Sequence, residues 1–109
     1  MMNGGWLIVF VTSPNYEEAE KLARGIISER LAACVNIVDN ITSIYWWKNN
    51  VEKDKEVLLI IKTHMRVFKK LVEFIKNNHS YEVPEITAVP IIAGYADYLE
   101  WIMKEVKEE

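Results

Sequence analysis

The stretch ACVNIVDNITSIYWWKNNVEKDKEVLLIIKT, residues 33–63, decides the fold. It reads as two strands in direct succession with no helix between them. In the first, Ala33 to Trp47, Val35 and Ile37 lie on one face, and Ile41, Ser43 and Tyr45 keep the same alternation. Asp39-Asn40 marks a bulge or bend inside this long strand. Asn49-Asn50 and the charged run Glu52 to Glu56 are expected to form the hairpin connection. Val57 to Thr63 (VLLIIKT) then returns as a buried strand.

Working outward, Trp6 to Val11 (WLIVFV) is a continuous apolar run of the kind found in a strand covered on both faces. Ser13-Pro14-Asn15 breaks it. Asn15 with Glu18 fits a capping box, and Glu17, Glu18 and Glu20 suit the positive end of a helix. Ala19, Leu22, Ala23, Ile26, Ile27 and Leu31 recur at helical spacing, so the first helix is expected over residues 15–31. On the other side, Val67, Phe68, Leu71, Val72 and Ile75 place a second helix over residues 65–78. Ile86 to Ile92 is a fourth strand, sent to an edge by Pro90, which cannot donate to a ladder. Tyr98, Leu99, Ile102 and Val106 make a short last helix with Lys104 and Lys107 near its negative end.

The order β-α-β-β-α-β plus a helix predicts a single α+β domain over residues 1–109. It is a ferredoxin-like split βαβ sandwich: a four-stranded antiparallel sheet, two helices on one face and an additional C-terminal helix. Two helices cover only one face of such a sheet, yet the first three strands are apolar on both sides. Other subunits are expected to cover the second face.

Composition narrows the class. Half of the 109 residues are apolar, with four Trp and five Tyr, which again points to assembly. Cys34 is the only cysteine, so no intrachain disulfide forms and a reducing compartment suits the chain. No signal peptide and no membrane span is expected, because no basic-then-apolar leader and no long apolar run is present. Thirteen basic and sixteen acidic side chains are well mixed, for a net charge of −3, which gives no electrostatic footprint for nucleic acid.

The candidate chemistry is dispersed. Cys34 is either a small buried hydrophobe or a copper ligand or reactive thiol. His64 and His79 have no metal-ligand partner at short spacing. His79 opens HSYEVPEI (residues 79–86), which concentrates a His, a Tyr, two carboxylates and a rigid Pro84 in a loop. Glu82 and Glu85 either offer oxygens to a divalent cation or are simply solvated. Lys62, interrupting an apolar strand, either anchors an anion or points outward at the strand end. Tyr45, Trp46 and Trp47 form either a stacking platform or part of a subunit interface. No serine-nucleophile, phosphate-loop or dinucleotide fingerprint is present, so nothing points to an enzyme.

Taken in order, LAACVNI (31–37), SIYWWKN (43–49), EVLLIIKT (56–63), HSYEVPEI (79–86) and GYADYLEWI (94–102) make the chain resemble the CutA family of divalent-cation tolerance proteins over essentially its whole length. The resemblance implies a cytoplasmic, homotrimeric, ferredoxin-like, non-enzymatic protein, similar in design to the PII signalling proteins. It also implies a link to heavy-metal tolerance and binding of copper(II) or another divalent cation. Cys34, His79, Glu82 and Glu85 become the metal candidates, and Trp47, Lys62, Tyr81, Tyr98 and Trp101 the candidates for an intersubunit cleft. A PII-like regulator holding a small anion in that cleft, or a structural scaffold, are the alternatives. Two positions depart from the family pattern. Asn49 stands where glycine is usual, calling on asparagine's tolerance of positive φ, and Ser80 replaces the usual proline, which is expected to loosen the loop.

Overall fold

The apolar run at the N-terminus becomes β1 (Trp6–Ser13), an inner strand of the sheet. The structure, a computed structural model, describes residues 4–108. After β1 come α1 (Tyr16–Ser28), β2 (Cys34–Trp47), β3 (Asn50–His64), a 3-10 turn (Met65–Val67) opening into α2 (Phe68–Asn78), β4 (Thr87–Pro90) and α3 (Ala96–Glu105). The strands lie in the order β2-β3-β1-β4, and every neighbouring pair is antiparallel. This is the ferredoxin-like α+β sandwich expected from the sequence, with its extra helix.

Register sorts the side chains into two faces. Val35, Ile61, Val9 and Ala88 align across the four strands, and Ile37, Leu59 and Val11 form the next row. Val9, Val11, Leu59 and Ile61 have no exposure and meet the apolar stripes of the helices, Leu22 and Ile26 of α1 with Leu71 and Ile75 of α2. Burying each such side chain contributes roughly 1.5–3 kcal/mol. The helices approach closely where Gly25 faces Phe74: a Cβ on Gly25 would lie 2.6 Å from the Phe74 ring. The opposite face carries Ile8, Phe10, Leu58 and Ile60, all half-buried, and Val38 and Val89, both exposed. The apolar stripes of α1 and α2 meet the first face, and α3 reaches this one only at its Trp6 end, where Tyr98 lies near Cys34.

The hairpin differs from expectation. Trp47 pairs with Asn50, so the turn is only Lys48-Asn49, with φ of 49° and 67°. Two central residues at positive φ make the tight turn whose twist matches that of the strands. The charged run Glu52 to Glu56 therefore belongs to β3 rather than to the connection. Charge is tolerated there because most of this hairpin projects past the helices into solvent, where Lys55 donates to Thr42 and Tyr45 to Asp54 across the strands. The projection makes the molecule 48 Å long against 25 and 22 Å in the other directions. The bulge falls as expected, between Val38 and Ile41, with Asn40 at φ 63° and its N–H donating to Asp39 Oδ1.

Asn15 Oδ1 accepts from the Glu18 N–H at 2.8 Å and caps α1, but the Glu18 carboxylate turns to Ser80 instead of closing the expected capping box. The helix stops at Ser28, short of residue 31. Arg30 takes φ 55°, and the N–H groups of Arg30 and Leu31 turn back to the carbonyls of Ile27 and Ile26. A non-glycine residue in that left-handed position left no mark in the sequence. The Trp6 indole N–H donates to the Leu99 carbonyl at 2.9 Å, pinning α3 to the sheet. At the end of α3 Arg66 donates to the carbonyls of Met103, Val106 and, from Nε, Lys107, while Arg30 donates to that of Glu105. β4 is a four-residue exposed edge strand in which Pro90 pairs with Leu7, shorter than the expected Ile86–Ile92.

Candidate functional site

The loop between α2 and β4 is organised by His79. Its side chain is fully buried. Nδ1 lies 3.0 Å from the Tyr81 N–H, which donates to it, so Nε2 carries the ring proton and donates to the Thr12 carbonyl at 2.7 Å. Both ring nitrogens are thus engaged by backbone. Glu18 Oε2 stands 3.6 Å from Nδ1 and accepts instead from the Ser80 N–H and hydroxyl at 3.1 and 3.0 Å. Ser80 therefore ties the loop to α1, the reverse of the loosening expected from its replacing proline.

Tyr81 next reaches the open side of the sheet, where its hydroxyl donates to Glu56 Oε2 at 2.6 Å. Glu56 is only 7% exposed. Around it opens a cavity of about 690 Å³, whose walls include Tyr45, Trp47, Tyr81, Glu82 and Glu85. No Lys, Arg or His is among the lining residues. Tyr45 donates to Asp54, and that bond pushes its phenol up to about 12. Burial, then the Glu56 carboxylate, raises the Tyr81 phenol as well. Both tyrosines therefore stay neutral donors to Asp54 and Glu56.

A second group sits toward the other end of the sheet. Cys34 pairs across the ladder with Lys62, and the Cys34 thiol and Lys62 ammonium both donate to Asn36 Oδ1. Tyr98 packs against Trp101 with ring centroids 5.4 Å apart and planes tilted by 39°, and its phenol is raised by burial and by nearby Cys34. Lys62 lies opposite Ile8 of β1, whereas His79 bonds Thr12, four residues along. That separation is about 13 Å of strand.

The expected metal quartet accordingly does not converge. Glu82 and Glu85 line the cavity, His79 is consumed beneath it and Cys34 is elsewhere. Among the described residues no group of three or more His, Cys, Asp or Glu is placed to hold a metal ion. Within one chain the residues expected at an intersubunit cleft form two groups: Trp47 and Tyr81 at the cavity, and Lys62, Tyr98 and Trp101 with Cys34. Sequence reasoning overlooked Glu56 and Glu18 as site residues, and read Tyr45 only as part of a stacking platform or a subunit interface. Glu56 had one signal, a charge immediately before the apolar run Val57 to Ile61. Glu18 was absorbed into the helix cap.

Fold and site together define a ferredoxin-like α+β protein carrying an aromatic, carboxylate-lined cavity on a sheet face its own helices leave open. The family model described as CutA1 divalent ion tolerance protein matches residues 7–105, and the chain belongs to that family. It is 51% identical over 102 residues to Protein CutA 1, chloroplastic, of Oryza sativa subsp. japonica, covering 94% of this chain and 58% of that one. It is 48% identical over 95 residues to the divalent-cation tolerance protein CutA of Thermus thermophilus, covering 87% and 92%. The crystal structure of CutA1 from Oryza sativa superposes with a TM-score of 0.94 at 49% identity, covering 97% of each chain. The chain spans a little over half the length of the plant relatives, 58% of the rice protein and 56% of Protein CutA, chloroplastic, of Arabidopsis thaliana. Among the described residues no helix is long and apolar enough to cross a membrane.

Proposed function

We propose that this chain acts in divalent-cation tolerance as a non-catalytic, cytoplasmic homotrimer that binds copper(II) or another divalent cation at the exposed carboxylates of Glu82 and Glu85. One observation carries the reading: these two side chains line the same cavity as Glu56, with no basic residue on its walls. Carboxylate oxygen suits divalent cations generally, and copper(II) heads the affinity order for such ions. Two carboxylates do not complete a coordination shell, so water or a neighbouring subunit supplies the rest. Support for assembly comes from the uncovered face bearing Ile8, Phe10, Leu58 and Ile60, and from Ile44, Trp46 and Val51 exposed on the projecting hairpin. The single cysteine supports a reducing compartment.

Calorimetric titration of copper(II) into metal-free protein, in a buffer that does not chelate copper, tests this. A saturable event is expected that disappears in Glu82→Gln/Glu85→Gln and survives in His79→Ala. Weak, scattered events of equal size in all three proteins would sink the reading. Sedimentation should return three times the 12.7 kDa of one chain.

The alternative, a small anion bound in the PII manner, has one observation in its favour. Lys62 is the only charged side chain in the open-face rows that join Cys34, Asn36 and Val38 of β2 to β3 and β1. Saturable binding of an anionic metabolite, lost in Lys62→Met, would favour it.

A further inference from the structure

We propose that His79, Glu18 and Ser80 form an acid-operated latch on the loop before β4. When the imidazole takes up a second proton, Glu18 moves from Ser80 onto the ring and the Tyr81 backbone is released. The latch is separate from the divalent-cation reading, which leaves His79 out of its site, and it needs no free space on the open face of the sheet. Ring, carboxylate and their partners belong to one chain, and the His79 side chain is already fully buried within it, so assembly leaves them in place.

In the neutral ring Nε2–H donates to the Thr12 carbonyl at 2.7 Å and Nδ1 accepts from the Tyr81 N–H at 3.0 Å. A proton on Nδ1 turns the second contact into two opposed donors, so the Tyr81 amide turns away. A buried imidazolium needs a partner for its new N–H. Glu18 Oε2 stands 3.6 Å from Nδ1, and a charge-assisted bond of about 2.8 Å asks it to move less than about 1 Å. That oxygen now accepts from the Ser80 N–H and hydroxyl. Ser80 is exposed, so water replaces the carboxylate there when it leaves. With its side chain 20% exposed, Glu18 also gives the buried ring a path to solvent.

Other groups face the ring. The Tyr81 aromatic ring lies 4.8 Å away and attracts a cation. His79 is the C-cap of α2, where the carbonyl dipoles favour positive charge. Lys76, in the last turn of that helix, opposes a second cation, but it is exposed and screened. Glu56 of β3 stands one bond further off, on the Tyr81 hydroxyl. β1 presents the Thr12 carbonyl, which keeps Nε2–H in both states. The buried contact with Glu18 therefore governs the response.

His64, the other histidine of the chain, supplies the contrast. It makes the same two contacts, accepting from the Arg66 N–H at 3.1 Å and approaching the Gly4 carbonyl at 3.0 Å. No carboxylate is paired with it among the described residues.

Nitrogen NMR of both imidazoles in the intact metal-free protein, followed from about pH 8 to about pH 5, tests the latch in the range where imidazole ordinarily titrates. His79 should gain a proton on Nδ1 while keeping the one on Nε2. In the same step, corrected for the intrinsic pH dependence of exchange, the Tyr81 amide should lose about tenfold or more of its hydrogen-exchange protection. Glu18→Gln keeps an acceptor for Ser80 and should lower the His79 midpoint by about one pH unit or more, leaving that of His64 unmoved. His79→Gln should abolish the Tyr81 step, and the Glu18→Gln shift provides the test if that variant fails to fold. Sedimentation should give one mass across the whole range. Three results would overturn the proposal: a His79 ring that stays neutral throughout, a midpoint indifferent to Glu18→Gln, or Tyr81 exchange that changes only where the assembly dissociates.

Discussion

The Tyr81 hydroxyl donates to Glu56 Oε2 across 2.6 Å, joining the loop after α2 to β3 over 25 residues of sequence. Hydrogen bonds to a charged, desolvated acceptor are the strong ones. Tyr81→Phe should therefore lower stability by about 1–3 kcal/mol in urea unfolding. The loss should shrink in a Glu56→Gln background. Strict additivity of the two substitutions would mean that the bond contributes nothing.

Alkali should expose the same two phenols. Tyr45 is raised to about 12 by its bond to Asp54, and Tyr81 is raised by burial and Glu56. A folded-state pKa above the unfolded value means stability that is complete below the usual tyrosine range near 10 and lost as pH rises through the folded value. Ultraviolet titration of tyrosinate should show three of the five tyrosines ionising late, Tyr98 being raised by burial as well. Asp54→Asn should move one of them back toward the ordinary range, and an unchanged curve would contradict the Tyr45 assignment.

His79 should behave as a strut. Nitrogen NMR is expected to find its proton on Nε2, where the ring donates to the Thr12 carbonyl. His79→Ala strands that carbonyl and the Tyr81 N–H, at a cost of about 2–4 kcal/mol in thermal or urea unfolding. A proton found on Nδ1 would contradict the arrangement, since that nitrogen accepts from Tyr81.

Ser80 holds Glu18 through its N–H and its hydroxyl. Ser80→Ala should cost about 0.5–1.5 kcal/mol. Ser80→Pro should cost more, because it removes the N–H as well. His79 already has the extended backbone, φ −105° and ψ 141°, that a following proline requires, so the loss would not come from its conformation. In a Glu18→Ala background the alanine substitution should lose most of its effect, and an equal cost there would exclude the contact as its source.

The hairpin turn carries removable strain. Lys48 and Asn49 both sit at positive φ, and lysine gains nothing from that region. Lys48→Asn/Asn49→Gly should raise stability by about 1 kcal/mol, read as a higher Tm with unchanged oligomeric state. A lower Tm would show that Lys48 has a stabilising role in the assembly.

The elements were legible because their signals are local. The apolar runs of β1 and β3, the Asn15 cap and the helical spacing of Leu22 and Ile26 each depend on a few neighbours in the chain. The charged run Glu52 to Glu56 misled, since charge reads as a loop unless the strand is known to project into solvent on both sides. Arg30 misled similarly: its left-handed conformation goes with the return of the Arg30 and Leu31 N–H groups to the last carbonyls of α1, and an arginine gives no hint of it.

The sequence by itself determined the order of strands and helices, the ferredoxin-like fold and the family, all of which follow from periodicity and from motifs read in order. It also marked HSYEVPEI as the loop to watch. Only the tertiary structure decided what that loop does. Register placed Glu56 beneath Tyr81, turned both nitrogens of His79 toward backbone, and sent Cys34 and Lys62 toward the other end of the sheet. A histidine, a cysteine and two glutamates look alike in sequence whether they converge or not. Whether they meet depends on strand pairing across tens of residues, and on which carboxylate the fold removes from water.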